Sequence, residues 1–277
     1  MNRRLVAIAG AGHSGSTLLG LVLGSHPSVV YAGEAKKSRF LGDPKKPLRK
    51  RVCKLCGPDC PVWSRIEARP APDVYEALSR LTGAPTVVDS TKDPAWIREG
   101  RRLADRAGIA HRLLFLQRDG RAVVNSRLRK DRGADPDDLI RRWRARIEAT
   151  RALVAEHPDR SLEVRYEALA TEPRATVRRI CAFLGLDFDE RMLSYEAADH
   201  HPLGGNTGTQ SVVARAAGLP DTLAEVPDRS RSYYQPLRRG FRLDLRWRDE
   251  LPGAVRARFE ELAGEVNAPF RWEVGGP

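Results

Sequence analysis

The sequence predicts an α/β domain in which a central parallel sheet is flanked by helices on both faces. Short apolar runs at 5–9 ("LVAIA"), 86–89 ("TVVD") and 113–117 ("LLFLQ") are each followed by a glycine or polar turn and then by a helical pattern. Strand and helix in alternation are what a parallel sheet covered on both sides requires. The 277 residues, 41% of them hydrophobic, are enough for one full core, and neither an internal repeat nor a dividing linker interrupts them.

The opening "MNRRLVAIAGAG" imitates a secretory signal, with two arginines, an apolar stretch and small residues. The apolar part is too short for that role and runs straight into glycines, so it reads as the first buried strand. No run approaches the roughly 18 to 20 apolar residues of a membrane span, and the expectation is a soluble, cytoplasmic protein. "STLLGLVLG" is apolar enough to be a buried first helix, and Val29 to Tyr31 form a further short strand. "LEVRY" supplies a strand over 162–165. Asp135 can cap a long helix with Pro136 in its first turn and Leu139, Trp143, Ile147 and Val154 as its apolar stripe. Thr171 opens the next, with Val177, Ile180 and Leu184 inward and Gly185 at its end. A last helix covers about 254–266. Residues 36–62, which hold six of the eight lysines, and residues 199–240, rich in Gly, Pro and polar residues, read as irregular loops at the acceptor side of a single domain over 1–277.

Net charge is +12 and the pI about 10, which calls for an anionic partner: nucleic acid, a phosphorylated or sulfated nucleotide, or an acidic acceptor. Because 40 of the 48 basic residues are arginines scattered through helices, charge alone does not choose among these. No finger, helix-turn-helix or aromatic-interleaved basic stretch marks a nucleic-acid-binding protein, and none is expected as a partner. Cys53, Cys56 and Cys60 offer three thiolates to a zinc ion, but no fourth ligand lies at finger-like spacing. The expectation is therefore reduced thiols in a compact loop and no metal.

The stretch "AGAGHSGSTLLG" nearly spells the phosphate loop Gly-x4-Gly-Lys-Ser/Thr, from Gly10 through Gly15 to Thr17, with Ser16 where the lysine belongs. Strand, glycine loop and helix N-terminus make an anion site from backbone N–H groups alone, so the domain is P-loop-like. Without the lysine, a nucleoside triphosphate loses the cation that neutralises its β and γ phosphates. A kinase or NTPase is thereby disfavoured and a less charged 5′-phosphosulfate better tolerated. A second anion site follows "LLFLQ": Arg118 leaves the strand end, and Ser126 lies eight residues on, about two helical turns away. The two can share one phosphate, although a plain salt bridge for Arg118 is an equal reading.

Taken together, "GHSGSTLL", "RDGRAVVNSRL" and "VRYEALATEPRATVRRICAFLGL" resemble the sulfotransferase family, which uses 3′-phosphoadenosine 5′-phosphosulfate (PAPS), over roughly 5–35, 86–128 and 162–188. The resemblance implies that His13, Ser14, Gly15, Ser16 and Thr17 hold the 5′-phosphosulfate and that Arg118 and Ser126 hold the 3′-phosphate, with no metal required. It further implies that Arg238, Arg239 and Gly240 form the C-terminal element that closes over the 3′-phosphate. His13 departs from the family pattern, which usually has Lys or Arg there; a neutral imidazole can still donate to the bridging oxygen. In "VVYAGEAKK", Glu34 is similar in position to the general base of tyrosylprotein and several bacterial sulfotransferases, and Lys92 in "KDP" to the lysine that stabilises the leaving group, with His13 assisting. As residues alone, Glu34 also reads as a helix cap or a partner of Lys36, and Lys92 as a surface residue. Asp89 reads first as a cap at the end of its strand and second as the reserve base, and His200 and His201 belong to a loop beside the acceptor unless they are merely exposed. The expected reaction moves a sulfuryl group to a hydroxyl or amine of a small-molecule or carbohydrate acceptor.

Overall fold

The computed structural model describes residues 1–68, 73–219, 223–226, 228–235 and 240–272. Five strands, β1 (Arg4–Gly10), β2 (Val29–Gly33), β3 (Thr86–Asp89), β4 (Ala110–Gln117) and β5 (Ser161–Arg165), form one sheet in the order β2-β3-β1-β4-β5. Every neighbouring pair is parallel. The connecting helices are α1 (Ser16–Gly24), α2 (Leu48–Arg51), α3 (Val74–Thr82), α4 (Pro94–Arg106), α5 (Gly120–Lys130), α6 (Pro136–Glu156), α7 (Tyr166–Thr171) and α8 (Pro173–Leu184). After them come α9 (Thr207–Ala216), α10 (Asp228–Tyr234), α11 (Trp247–Glu250) and α12 (Gly253–Asn267). None of the described helices is long and apolar enough to cross a membrane.

Side-chain alternation along the strands divides the core between the two faces of the sheet. Val6, Ile8, Leu114 and Leu116 pack with Leu19 and Val22 of α1, Leu78 of α3 and Ile180 of α8. The intervening residues face the other side: Phe115 with Trp143 of α6 and Phe259 of α12, and Ala7, Ala9 and Leu113 with Ile97 of α4 and Leu153 of α6. Both β1 and β4 are covered on two faces, which is why they read as continuous apolar runs.

All five expected strands are present, β4 beginning three residues earlier than "LLFLQ". Asp135 caps α6 by accepting from the amides of Asp137 and Asp138, as its position suggested. Leu153 rather than Val154 completes the buried stripe of α6. Thr171 does not open α8. Its hydroxyl donates to the Glu167 carbonyl and closes α7, and α8 starts at Pro173, whose ring supplies the helical φ of a first turn. Within 199–240, α9 and α10 stand where composition suggested loop. Asn206 caps α9 by accepting from the Thr209 amide, a start signal masked by the neighbouring glycines.

Candidate active site

Parallel strands send all their loops to the same carboxyl edge, and β1, at the centre of the sheet, brings its loop beside those of β3 and β4. The loop after β1 ends at Gly15, with φ 92°; a Cβ there would lie 2.7 Å from the Tyr166 ring. Helix α1 then begins with no side-chain cap and no acidic residue in its first turn, so the free amides and the positive end of its dipole stay available to an anion. His13 adopts φ 72°, an unusual conformation for a residue with a side chain. Its Nδ1 lies 2.8 Å from Ser126 Oγ, and its carbonyl accepts from Arg118 Nη1 at 2.8 Å. Burial pushes the His13 imidazole down to about 3, with Arg127, Lys130, Arg118 and Lys92 adding repulsion, so the ring is neutral. Gly15, Ser16 and Thr17 reach the cleft, whereas Ser14 is buried and its Oγ has no partner among the described residues.

The two anion sites expected from sequence are thus one surface, joined through His13. Arg118 is 7% exposed, lies over the Tyr166 ring with its guanidinium carbon 4.3 Å from the centroid, and pairs with Asp244 Oδ2 at 3.2 Å. Burial opposes the charge on Asp244, but Arg246 and Arg118 outweigh it and hold the carboxyl well below its ordinary range. Arg118 Nε and Arg246 Nη1 are buried without partners among the described residues, and donors left unpaired beside a cleft favour an anionic ligand.

On the opposite wall, a register shift between Tyr31 and Gly33 bends β2 at its end. Gly33 has φ 78°, and a Cβ there would meet the Leu203 carbonyl oxygen at 2.3 Å, so the turn that aims Glu34 admits only glycine. The Glu34 amide donates to the Leu203 carbonyl at 2.6 Å. Its carboxylate pairs with Lys37 at 2.6 Å and faces Lys92 Nζ at 3.8 Å; Lys36 instead pairs with Asp93. Burial alone would raise the Glu34 pKa, but Lys92 and Lys37 outweigh it and hold the carboxyl below its ordinary value. Lys92 is not a surface residue: its side chain is 16% exposed, and Nζ donates to the Ser90 carbonyl at 2.7 Å. Asp89 is the strand-end cap rather than a reserve base. It accepts from the Ala35 and Thr91 amides, the Tyr75 hydroxyl and the Trp96 indole, and so fixes the turns that carry Glu34 and Lys92.

These walls enclose a cleft of about 650 Å³. Among the described residues, eleven basic side chains and three carboxylates line it, a balance that selects for anions. Gly240 is on the wall, while Arg238 and Arg239 lie outside the described residues. His200 and His201 are neither exposed nor at the cleft: His200 is buried against the Tyr195 carbonyl, and His201 turns toward Cys56 and Cys60. Tyr166, Arg242, Asp244, Arg246, Lys130 and Arg146 also line the cleft and were not singled out from sequence. For Arg242, Asp244 and Arg246 the visible signal was the Arg- and aromatic-rich "YYQPLRRGFRLDLRW"; Tyr166, Lys130 and Arg146 lie in other segments, brought to the cleft by the fold.

The model of the sulfotransferase family matches residues 6–190. The chain belongs to the sulfotransferase family. A protein-tyrosine sulfotransferase of Drosophila melanogaster is 26% identical over 215 residues, 72% of this chain and 42% of that one. Protein-tyrosine sulfotransferase 1 of Danio rerio is 27% identical over 199 residues, 69% of this chain and 56% of that one. The chain therefore spans about half the length of these relatives. Among solved structures, this chain shares the fold of the sulfotransferase domain from the curacin biosynthetic pathway, with a TM-score of 0.60, 17% identity and coverage of 96% and 98% of the two chains. A mouse sulfotransferase complexed with PAP aligns with a TM-score of 0.54 and 10% identity over 97% of this chain and 88% of that one.

Proposed function

We propose that this sulfotransferase moves a sulfuryl group from PAPS to a hydroxyl or amine acceptor, with the donor held along the joined surface of the β1 loop and Arg118. The observation that carries this reading is the shared anchorage of the two anion sites: His13 touches both Arg118 and Ser126, so a ligand with phosphates at two positions can be gripped at both ends in one cleft. The amides of residues 15–17 hold the 5′-phosphosulfate, and Arg118 with Ser126 holds the 3′-phosphate, with Arg118 shared between that phosphate and Asp244. Gly240, on the wall of the same cleft, completes this end.

In this scheme Glu34 is the general base. Its depressed pKa keeps it ionised at neutral pH, ready to take the acceptor proton as the acceptor oxygen or nitrogen attacks sulfur. The bond between sulfur and the bridging phosphate oxygen breaks, and the electron pair stays with that oxygen. Lys92, 3.8 Å from Glu34, and the neutral His13 imidazole are the donors placed to stabilise the departing charge. No step draws on a metal ion. The names of the curated relatives point to tyrosine as one acceptor to test, and the basic cleft favours acidic acceptors, small-molecule or carbohydrate. Calorimetric titration with adenosine 3′,5′-bisphosphate in magnesium-free buffer tests the donor site. Tight binding is expected; preference for Mg-ATP or Mg-GTP refutes the assignment, as does salt-sensitive DNA binding with neither nucleotide bound.

A further inference from the structure

We propose that Cys53, Cys56, Cys60 and His201 form a structural zinc site that pins the basic loop to the segment behind Glu34. Their ligand atoms all lie within 4.8 Å of one another, and the fourth ligand, absent at finger-like spacing, arrives from 141 residues beyond Cys60. A tetrahedral zinc with Zn–S near 2.3 Å and Zn–N near 2.0 Å separates its ligand atoms by roughly 3.5–3.8 Å. His201 Nδ1 stands 3.2 Å from Cys56 Sγ and 3.6 Å from Cys60 Sγ, close to that spacing.

The local structure is that of ligands prepared for a metal. The Cys53 carbonyl accepts from the Gly57 amide at 3.2 Å, closing a tight Cys-x-x-Cys-Gly turn. The Cys56 amide points at Cys53 Sγ and the Trp63 amide at Cys60 Sγ, each at 3.5 Å, and such donors favour thiolate over thiol. The other ring nitrogen of His201, Nε2, lies 3.2 Å from Asp199 Oδ2, so the tautomer protonated at Nε2 pairs with that carboxylate and presents the Nδ1 lone pair to the sulfurs. This is the carboxylate–imidazole pairing that orients metal-bound histidines. Three soft sulfurs and one imidazole at tetrahedral spacing suit zinc. All four cysteines of the chain are free, and a disulfide within the cluster would strand its third thiol.

The site lies where such a pin has a consequence. Cys53 and Gly33 each bridge to Leu203, the Lys54 amide donates to Pro202, and the Leu203 carbonyl holds the Glu34 amide. Two residues past Gly204, the Asn206 amide donates to Thr17 Oγ1 of the phosphate loop. Zinc would thus tie the 53–60 loop to the strip that bonds to both Glu34 and Thr17, as a support rather than as a participant in transfer.

The test is metal analysis of the full chain, purified under reducing conditions and dialysed against metal-free buffer. The expected result is about one zinc per chain, released by a thiol-modifying reagent in step with three cysteines, and replaceable by cobalt(II) with the thiolate charge-transfer and ligand-field bands of a tetrahedral site. Asp199→Asn, at an exposed side chain that leaves all four ligands in place, is expected to weaken zinc about 10- to 100-fold. Cys60→Ser should abolish stoichiometric binding. Protein that carries no zinc and takes up neither zinc nor cobalt overturns the proposal. So does a disulfide within the cluster that persists under added zinc, or stoichiometric iron in its place. The wild-type measurements decide even where a variant fails to fold.

Discussion

Replacing Glu34 with glutamine keeps the side chain's shape and removes its charge, so it separates chemistry from packing. A positioned general base contributes about 10²- to 10⁴-fold, and kcat for sulfuryl transfer in Glu34→Gln is expected to fall by that factor. Donor affinity should change by less than about threefold, because the carboxylate meets Lys37 and Lys92 and none of the residues of the β1 loop. The structural cost follows from the same contacts. At 3.8 Å and an effective dielectric near 20, the Glu34–Lys92 attraction is about 4 kcal/mol before desolvation is subtracted. The Lys37 pair, close to one-third exposed on both sides, adds little. A net loss of about 1–2 kcal/mol, between surface and buried pairs, lowers Tm by roughly 2–8 °C for a domain of this size. Initial rates with radiolabelled donor, calorimetry with adenosine 3′,5′-bisphosphate and a thermal melt read the three quantities separately. The pH profile supplies a further check. The Glu34 pKa is depressed below its ordinary 4.5, so wild-type kcat/KM should be level through neutral pH and fall only as acid protonates the carboxylate; that acid limb should vanish in the variant. A Glu34→Gln enzyme with kcat within fivefold of wild type removes Glu34 as the base.

Arg118→Ala is expected to weaken adenosine 3′,5′-bisphosphate about 10- to 150-fold by calorimetry, the range for charge-assisted bonds, and to lower Tm because it strips Asp244 of one of its two cationic partners. An unchanged affinity would place the 3′-phosphate elsewhere. Gly33→Ala should destabilise by more than about 2 kcal/mol in urea titrations, since its Cβ would overlap the Leu203 carbonyl; Gly83→Ala, at φ 74° with open space around it, should cost about 1 kcal/mol from backbone strain alone. Equal effects at the two positions would refute the close approach. His13, pushed down to about 3, should show no imidazole titration between pH 5 and 8 by NMR. Because its folded pKa is depressed, the stability it contributes is full above the unfolded value near 6.5 and is lost as pH falls from there toward 3, and a midpoint near 6.5 in the folded protein would contradict its burial among cations.

Local chemistry decided how much of the fold could be read in advance. Strands β1 and β4 are buried on both faces and therefore announce themselves as unbroken apolar runs, and Asp135 with Pro136 marks the start of α6 by a mechanism confined to four residues. Thr171 misleads because a hydroxyl can serve either helix end: as a cap it would accept from amides ahead, whereas here it donates backward to Glu167. Helix α9 was hidden by Gly204, Gly205 and Gly208, although Asn206 already stood in the capping position. What the chain cannot express locally is which distant segments share an edge of the sheet. His201 and Cys60 are 141 residues apart, and no spacing rule links them.

The same limit explains why the missing lysine of the phosphate loop looked like a deficit. In a loop that carries its own lysine, the compensating cation is one or two residues from the amides it assists. Here the strand order places β4 beside β1, so Arg118, 105 residues from His13, reaches back to the loop's own carbonyl, and β3 on the other side of β1 delivers Lys92. Because these cations belong to separate elements, each is held by its own anchor: Arg118 by Tyr166 and Asp244, Lys92 by the Ser90 carbonyl and Glu34. Positive charge is thereby spread along the cleft rather than focused at one point, which suits a ligand whose anionic groups are themselves separated and disfavours a compact triphosphate.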